Sequence, residues 1–219
     1  MGQRPTAART RRPNASRLRA RAASRPIEPR PIEAAIFATP LGWIGVAGSG
    51  TTVVALTIGH ASADEVRNAL TARVSDSSGG GSTVAIGERD WYPELRRALE
   101  RYAQGQRVDF RQFDVELGQT TPYRKRVLEA ARGIPYGSTL SYGELAARSG
   151  KPRAARAVGS AMASNQIALL IPCHRVVAAG GAIGGFSCRT GVELKRRLLD
   201  MEAQGVPVKP HGKRAGRHL

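Results

Sequence analysis

The chain has little cysteine: Cys173 and Cys188 are its two cysteines. That is too few for a disulfide framework, and neither stands in a C-x-x-C pair. A reducing compartment follows, and a Cys173–Cys188 bridge is disfavoured there. Long apolar runs are missing as well. The longest, around Val53–Ile58 and Ile167–Pro172, fall far short of the ~20 residues that cross a bilayer, so no membrane partner and a cytoplasmic location are expected. The N-terminus is rich in arginine but has no apolar stretch, which argues against a secretory leader. Acidic residues are scarce: 17 Asp and Glu stand against 34 Lys and Arg, a net charge of +17.

The excess is uneven. Residues 1–30 carry nine arginines against Glu28, a net of +8. Residues 31–118 carry 8 basic and 11 acidic side chains, a net of −3, and residues 119–219 carry 17 and 5, a net of +12. Such asymmetry fits a polyanionic partner, nucleic acid first; a solubilising excess of arginine fits it as well. Hydrophobic residues make up 41% of the chain, enough for ordinary cores.

Four segments are expected. Residues 1–31 read as a basic disordered arm, broken by proline and free of aromatics, although an Arg-rich transit segment stays open. Residues 32–118 read as an α+β unit. Ala34–Ala38, Gly42–Ala47 and Thr52–Ile58 form a β-meander separated by turn residues. Ser62 and Glu65 open a helix from about Ala63 to Ala72, Ser75–Ser82 is a loop, and Pro93–Ala103 is a helix with Leu95, Leu99 and Tyr102 on one face. Residues 119–205 read as mostly helical. Pro122–Arg132 has its stripe at Tyr123, Val127, Leu128 and Ala131. Ser141 with Glu144 caps a short helix, Tyr142–Ala147, and Gly150-Lys151-Pro152 turns into a second, Ala154–Ala163. Two short helices so joined fit a helix-turn-helix and fit an ordinary helical hairpin better on spacing alone. A last helix spans Val192–Gln204, and residues 206–219 form a basic tail.

The chemistry-bearing stretch is Ile171-Pro172-Cys173-His174-Arg175-Val176. Five apolar residues, Ile167–Ile171, predict a buried strand that brings Cys173 to its end. Imidazole and guanidinium neighbours favour the nucleophilic thiolate. A Cys-His dipeptide alone fits a buried structural thiol better than a nucleophile. A Cys-His hydrolase is weaker still, because its base normally comes from far along the chain, where this chain offers His60, His211 and His218.

Pro172-Cys173-His174-Arg175-Val176, together with Ser141-Tyr142-Gly143-Glu144-Leu145, Arg156-Ala157-Val158-Gly159, Asn165 and Lys195-x-x-Leu198-Leu199-x-x-Glu202, resembles the O6-alkylguanine-DNA alkyltransferase family. The resemblance covers about residues 32–204 and is dense over Pro122–Glu202. It implies an α+β fold, with an RNase H-like N-terminal β-meander and a C-terminal helical unit holding a helix-turn-helix and the active-site loop. It also implies stoichiometric transfer of an alkyl group from O6-alkylguanine, or O4-alkylthymine, in double-stranded DNA to Cys173, by a monomer, with no cofactor. The base must leave the stack to be reached. By the resemblance, His174 is the base, acting through a water, and Glu202 orients it. Tyr142 turns the phosphate and protonates the purine. Arg156 fills the vacated stack, while Ser141, Arg153 and Ala155 join Tyr142 against DNA. Asn165 is the hinge, and Val176, Phe186 and Ser187 line the pocket. Departures from the family pattern are Gln166 in place of proline, Phe186 in place of tyrosine, and a longer Ser187–Gly191 loop holding Cys188. Some members bind zinc near the N-terminus; residues 1–118 hold no cysteine and one histidine, His60, so no metal is expected. Two rivals remain: a lesion sensor, which Cys173 argues against because such relatives lack it, and a helix-turn-helix regulator, which would prefer particular base sequences.

Overall fold

A computed structural model describes residues 31–77, 86–185 and 191–205. The expected arm and basic tail, and most of the Ser75–Ser82 loop, lie outside the described residues. Strands β1 (Ile32–Thr39), β2 (Gly42–Ser49) and β3 (Thr52–His60) form the expected antiparallel meander. Short strands extend it at both edges: β4 (Ile86–Glu88) runs parallel to β1 and β5 (Asp114–Val115) parallel to β3. The sheet is therefore mixed, in the order β4-β1-β2-β3-β5. With two or three residues each, the edge strands are too short to show an alternating pattern in sequence.

Helix α1 (Ala63–Ser77) covers one face. Val66, Leu70 and Val74 repeat every fourth residue and bury against Ala34, Ala47 and Ala55. The helix can come this close because β2 offers Gly45: a Cβ there would collide with Val66 Cγ1 and Leu70 Cδ1. α1 also runs five residues beyond the expected end at Ala72 and takes in the Ser75-Asp76-Ser77 segment read as loop. Burial of Val74 on the stripe outweighs the weak helix propensity of Ser and Asp.

The other face of the sheet belongs to the main core. Ile44, Leu56 and Ile58 pack with Leu95, Leu99 and Tyr102 of α2 (Pro93–Ala103), and the same core continues into α3 (Pro122–Arg132) through Val127 and Leu128. It then reaches α4 (Tyr142–Arg148), α5 (Ala155–Ala163) and α6 (Gly191–Gln204) through Leu145, Val158 and Leu198. Strands β6 (Leu140–Ser141) and β7 (Val176–Val177) pair in parallel beside α4. The Ser141–Glu144 capping box is complete: Glu144 N–H donates to Ser141 Oγ at 3.1 Å and Ser141 N–H to Glu144 Oε2 at 2.7 Å. Among the described residues no helix is long and apolar enough to cross a membrane.

Candidate active site

The segment Ile167–Ile171 is buried as expected, but it is not a strand. It touches β3 through Leu56 N–H to Gln166 O at 2.8 Å and Ala168 N–H to Leu56 O at 3.2 Å, then turns. Leu169 takes φ +66°, the one non-glycine residue with positive φ among the described residues. Leu170 N–H closes a three-residue turn around it onto Ala168 O at 2.8 Å. Such a turn is strained for a bulky residue, and no apolar pattern announces it. Asn165 brackets the turn: its Oδ1 accepts Ile167 N–H at 3.1 Å and its Nδ2 donates to Ile171 O at 2.9 Å. Arg73 of α1 donates to the Asn165 carbonyl at 3.0 Å, tying the sheet side to the same place.

This bracket delivers Pro172 and a single 3-10 turn, Cys173–Arg175, into the core. Cys173 is 6% exposed. The thiol is pushed up by burial, against the opposing pull of an Asn165 hydrogen bond and the Lys195 charge. The expectation that flanking His174 and Arg175 favour the thiolate is therefore corrected. Desolvation wins, and the Arg175 guanidinium is committed elsewhere.

Its commitment is to Glu202, on the last turn of α6. Arg175 Nε and Nη2 donate to the carboxylate at 3.0 and 2.8 Å, Gly137 N–H at 3.0 Å and Tyr102 OH at 2.6 Å, while His174 Nε2 lies 2.9 Å from Oε1. Glu202 is 1% exposed. Burial would raise it, yet His174 and Arg175 outweigh burial and hold it well below the usual carboxylate range. A carboxylate only accepts, so Nε2 carries the imidazole hydrogen and Nδ1 is left with the lone pair. His174 Nδ1 is buried and makes no hydrogen bond among the described residues. Burial pushes the imidazole down, despite Glu202, so its neutral form is favoured. Leu194 and Leu198 anchor α6 beneath this cluster, and Leu199 is half-buried.

Lys195 is fully buried. Its Nζ donates to Val176 O at 2.6 Å and to Gly185 O at 3.2 Å. The carbonyl of Val176, a residue expected to line the pocket, therefore already holds one donor. Tyr142, half-buried at the start of α4, has its phenol pushed up by burial and then by the Cys173 charge. Lys195 Nζ lies 5.9 Å from its ring centre. Ser141, Ala155, Arg153 and Arg156 gather on the α4–α5 pair, where Arg153 and Arg156 are exposed. Phe186, Ser187 and Cys188 lie outside the described residues. Cavities of about 280 and 370 Å³ flank the segment, one lined by Pro172 and Arg175 and the other by Ile171; Cys173 lines neither. Among the described residues no cluster of three His, Cys, Asp or Glu side chains stands ready for a metal.

Two members of this cluster are not identified by the sequence: apolar spacing puts Tyr102 on a core-facing helix side, and no motif names a partner for Arg175. The signal for Tyr102 was its hydroxyl, because a tyrosine among buried leucines must find an acceptor.

Comparison with known proteins converges on the same segment. The family model for the DNA-binding domain of 6-O-methylguanine DNA methyltransferase matches residues 122–204. A methylated-DNA–protein-cysteine methyltransferase of Methanosarcina acetivorans is 40% identical over 118 residues, 53% of this chain and 72% of the relative. One from Mycobacterium bovis is 47% identical over 98 residues, 44% of this chain and 58% of the relative. The crystal structure of Mycobacterium tuberculosis OGT in complex with DNA superposes with a TM-score of 0.63 at 30% identity, covering 80% of this chain and 96% of that one. The O6-methylguanine-DNA methyltransferase of Pyrococcus kodakaraensis gives 0.57 at 29% identity over 78% and 98%.

Proposed function

The chain belongs to the methylated-DNA–protein-cysteine methyltransferase family, and on that premise we propose that it repairs O6-alkylguanine in DNA by moving the alkyl group onto Cys173. The observation that carries this reading is the buried Cys173 followed directly by a histidine whose Nε2 is held by Glu202 at 2.9 Å. Burial keeps the resting thiol protonated, so ionisation belongs to the reaction itself. The Cys173 proton passes by way of a water to the lone pair on His174 Nδ1, and Glu202 balances the imidazolium. The sulfur attacks the alkyl carbon; the C–S bond forms as the C–O6 bond breaks. The electron pair stays with the purine, which takes a proton from Tyr142. Lys195 and Asn165 offset the developing charge on sulfur. The thioether does not hydrolyse, so each molecule acts once.

α4 and α5 act as a helix-turn-helix laid in the minor groove, with Arg153 and Ser141 on the backbone and Arg156 filling the gap left by the extruded nucleotide. Asn165 holds the reactive turn in register with that helix pair. Val176, with Phe186 and Ser187, recognises the base. The sheet with α1 and α2 is the RNase H-like half. The protein works as a monomer in the cytoplasm or nucleoid.

The test is incubation of wild type and Cys173→Ala with a duplex carrying labelled O6-methylguanine. Label is expected on wild type alone; unlabelled wild type ends the proposal.

A further inference from the structure

The Glu202 carboxylate holds more donors than the fixing of one imidazole requires. Arg175 grips it with two nitrogens and Gly137 with its N–H. Tyr102 adds its hydroxyl at 2.6 Å to Oε1, the same oxygen that faces His174. The imidazole N–H divides itself between that oxygen and the phenolic oxygen, 3.3 Å away. Tyr102 reaches the site from α2, on the sheet side of the molecule. Its ring is fully buried and stands edge-on to Phe110 and Tyr136, with centroids 5.4 and 6.0 Å away. Burial and the adjacent Glu202 raise the phenol well above its ordinary range, so through the neutral range it stays a neutral donor.

We propose that Tyr102 is a positioning residue of the alkyl-transfer site: by occupying one lone pair of Glu202 Oε1, its hydroxyl limits how strongly the carboxylate favours the imidazolium, and so sets the pH above which His174 can accept the proton of Cys173. The proposal rests on the alkyl-transfer reading and deepens it. Each hydrogen bond to a carboxylate draws off charge that would otherwise act on its other partners. Without the hydroxyl, Oε1 pulls harder on the His174 proton; at 2.9 Å and charged, it outweighs the lost neutral phenolic acceptor at 3.3 Å, and the protonated ring is better stabilised. Arg175 and Gly137 still hold the carboxylate in place, so the change is one of charge rather than position. The other groups facing the pair are Arg175 and Lys195, which disfavour the imidazolium, and Tyr136, which faces Glu202. Tyr102→Phe leaves all of them, and the ring contacts, intact.

The experiment is single-turnover methyl transfer by wild type and Tyr102→Phe from about pH 5 to about pH 9, with the His174 imidazole titration followed by NMR in the same proteins. The acid limb of the rate profile and the His174 midpoint should both move up by about half to one pH unit in Tyr102→Phe. That is a ~3- to 10-fold loss of rate on the acid limb, fading toward high pH. If rate or urea midpoint falls while limb and midpoint stay in place, Tyr102 serves packing only and the proposal is overturned. If wild type transfers no methyl at any pH, the functional reading fails; the NMR midpoint still decides for Tyr102, upward in support, unmoved against. Should Tyr102→Phe not fold, 3,5-difluorotyrosine at position 102 keeps the shape and strengthens the donor. It must move the His174 midpoint down, and an unmoved midpoint overturns the proposal.

Discussion

At the scale of single residues, the site is governed by which charges have lost their water. Glu202 and Arg175 are both almost fully buried and satisfy each other, so removing either charge strands the other. Glu202→Gln is expected to lower stability by about 3–5 kcal/mol, because Arg175 then lies buried without its counter-charge; urea unfolding at neutral pH checks this. The same groups set an acid response. His174 is held below its ordinary 6.5, so its contribution is present above about pH 6.5 and is lost as pH falls toward its folded value, while unfolded chains take up the proton. Glu202 is held below its ordinary 4.5, so a second loss begins below that pH. Urea midpoints measured on acidification should therefore fall in two stages, and Glu202→Gln should show a smaller lower one, since Asp109 and Glu144, also held below their ordinary range, still contribute to it. The PCHRV motif was legible in the sequence and pointed to Cys173 and His174. The burial that raises the thiol was not, because desolvation depends on what packs around the side chain rather than on its chain neighbours.

At the scale of elements, two features decide how the reactive turn is held. Gly45 lets α1 dock, and Arg73 on that helix reaches the Asn165 carbonyl. Gly45→Ala sets a methyl against Val66 and Leu70 and is expected to cost about 1–3 kcal/mol, read as a lower urea midpoint. Asn165→Ala removes both ends of the bracket and leaves Ile167 N–H buried without its acceptor, for about 1–3 kcal/mol. Transfer should slow more than the stability loss explains; an unchanged rate in folded protein would remove Asn165 from the site. Helices with a regular stripe, α2 and α3, were legible to the residue from apolar spacing. The Ile167–Ile171 run misled, because an all-apolar sequence specifies burial without specifying extension, and the turn at Leu169 is imposed by Asn165 and by the edge of β3. α1 outran its expected end for the related reason that Val74 had a core to meet.

At the scale of the whole molecule, charge and architecture divide the labour. The acidic-leaning stretch builds most of the sheet, while the strongly basic stretch from residue 119 carries α3 to α6 and the reactive turn. Binding to duplex DNA is expected to weaken steeply and log-linearly with salt, without a preferred base sequence. Arg156→Ala should slow transfer from a duplex by about tenfold or more while leaving transfer from the free O6-methylguanine base unaltered, since only the duplex must be held open; equal losses on both substrates would place Arg156 in the chemistry instead. The meander-then-helices order was readable from periodicity. The contacts that join the two halves, Tyr102 to Glu202 and Arg73 to Asn165, span long chain separations that no local pattern encodes.

The central claim is that one sulfur accepts the alkyl group. Peptide mass spectrometry of wild-type protein, after exposure to duplex DNA containing O6-methylguanine, tests it directly. The account predicts one added methyl per molecule, confined to the peptide containing Cys173 and never exceeding one however long the exposure. A methyl on Cys188 instead, or repaired DNA with an unmodified Cys173 peptide, would contradict it.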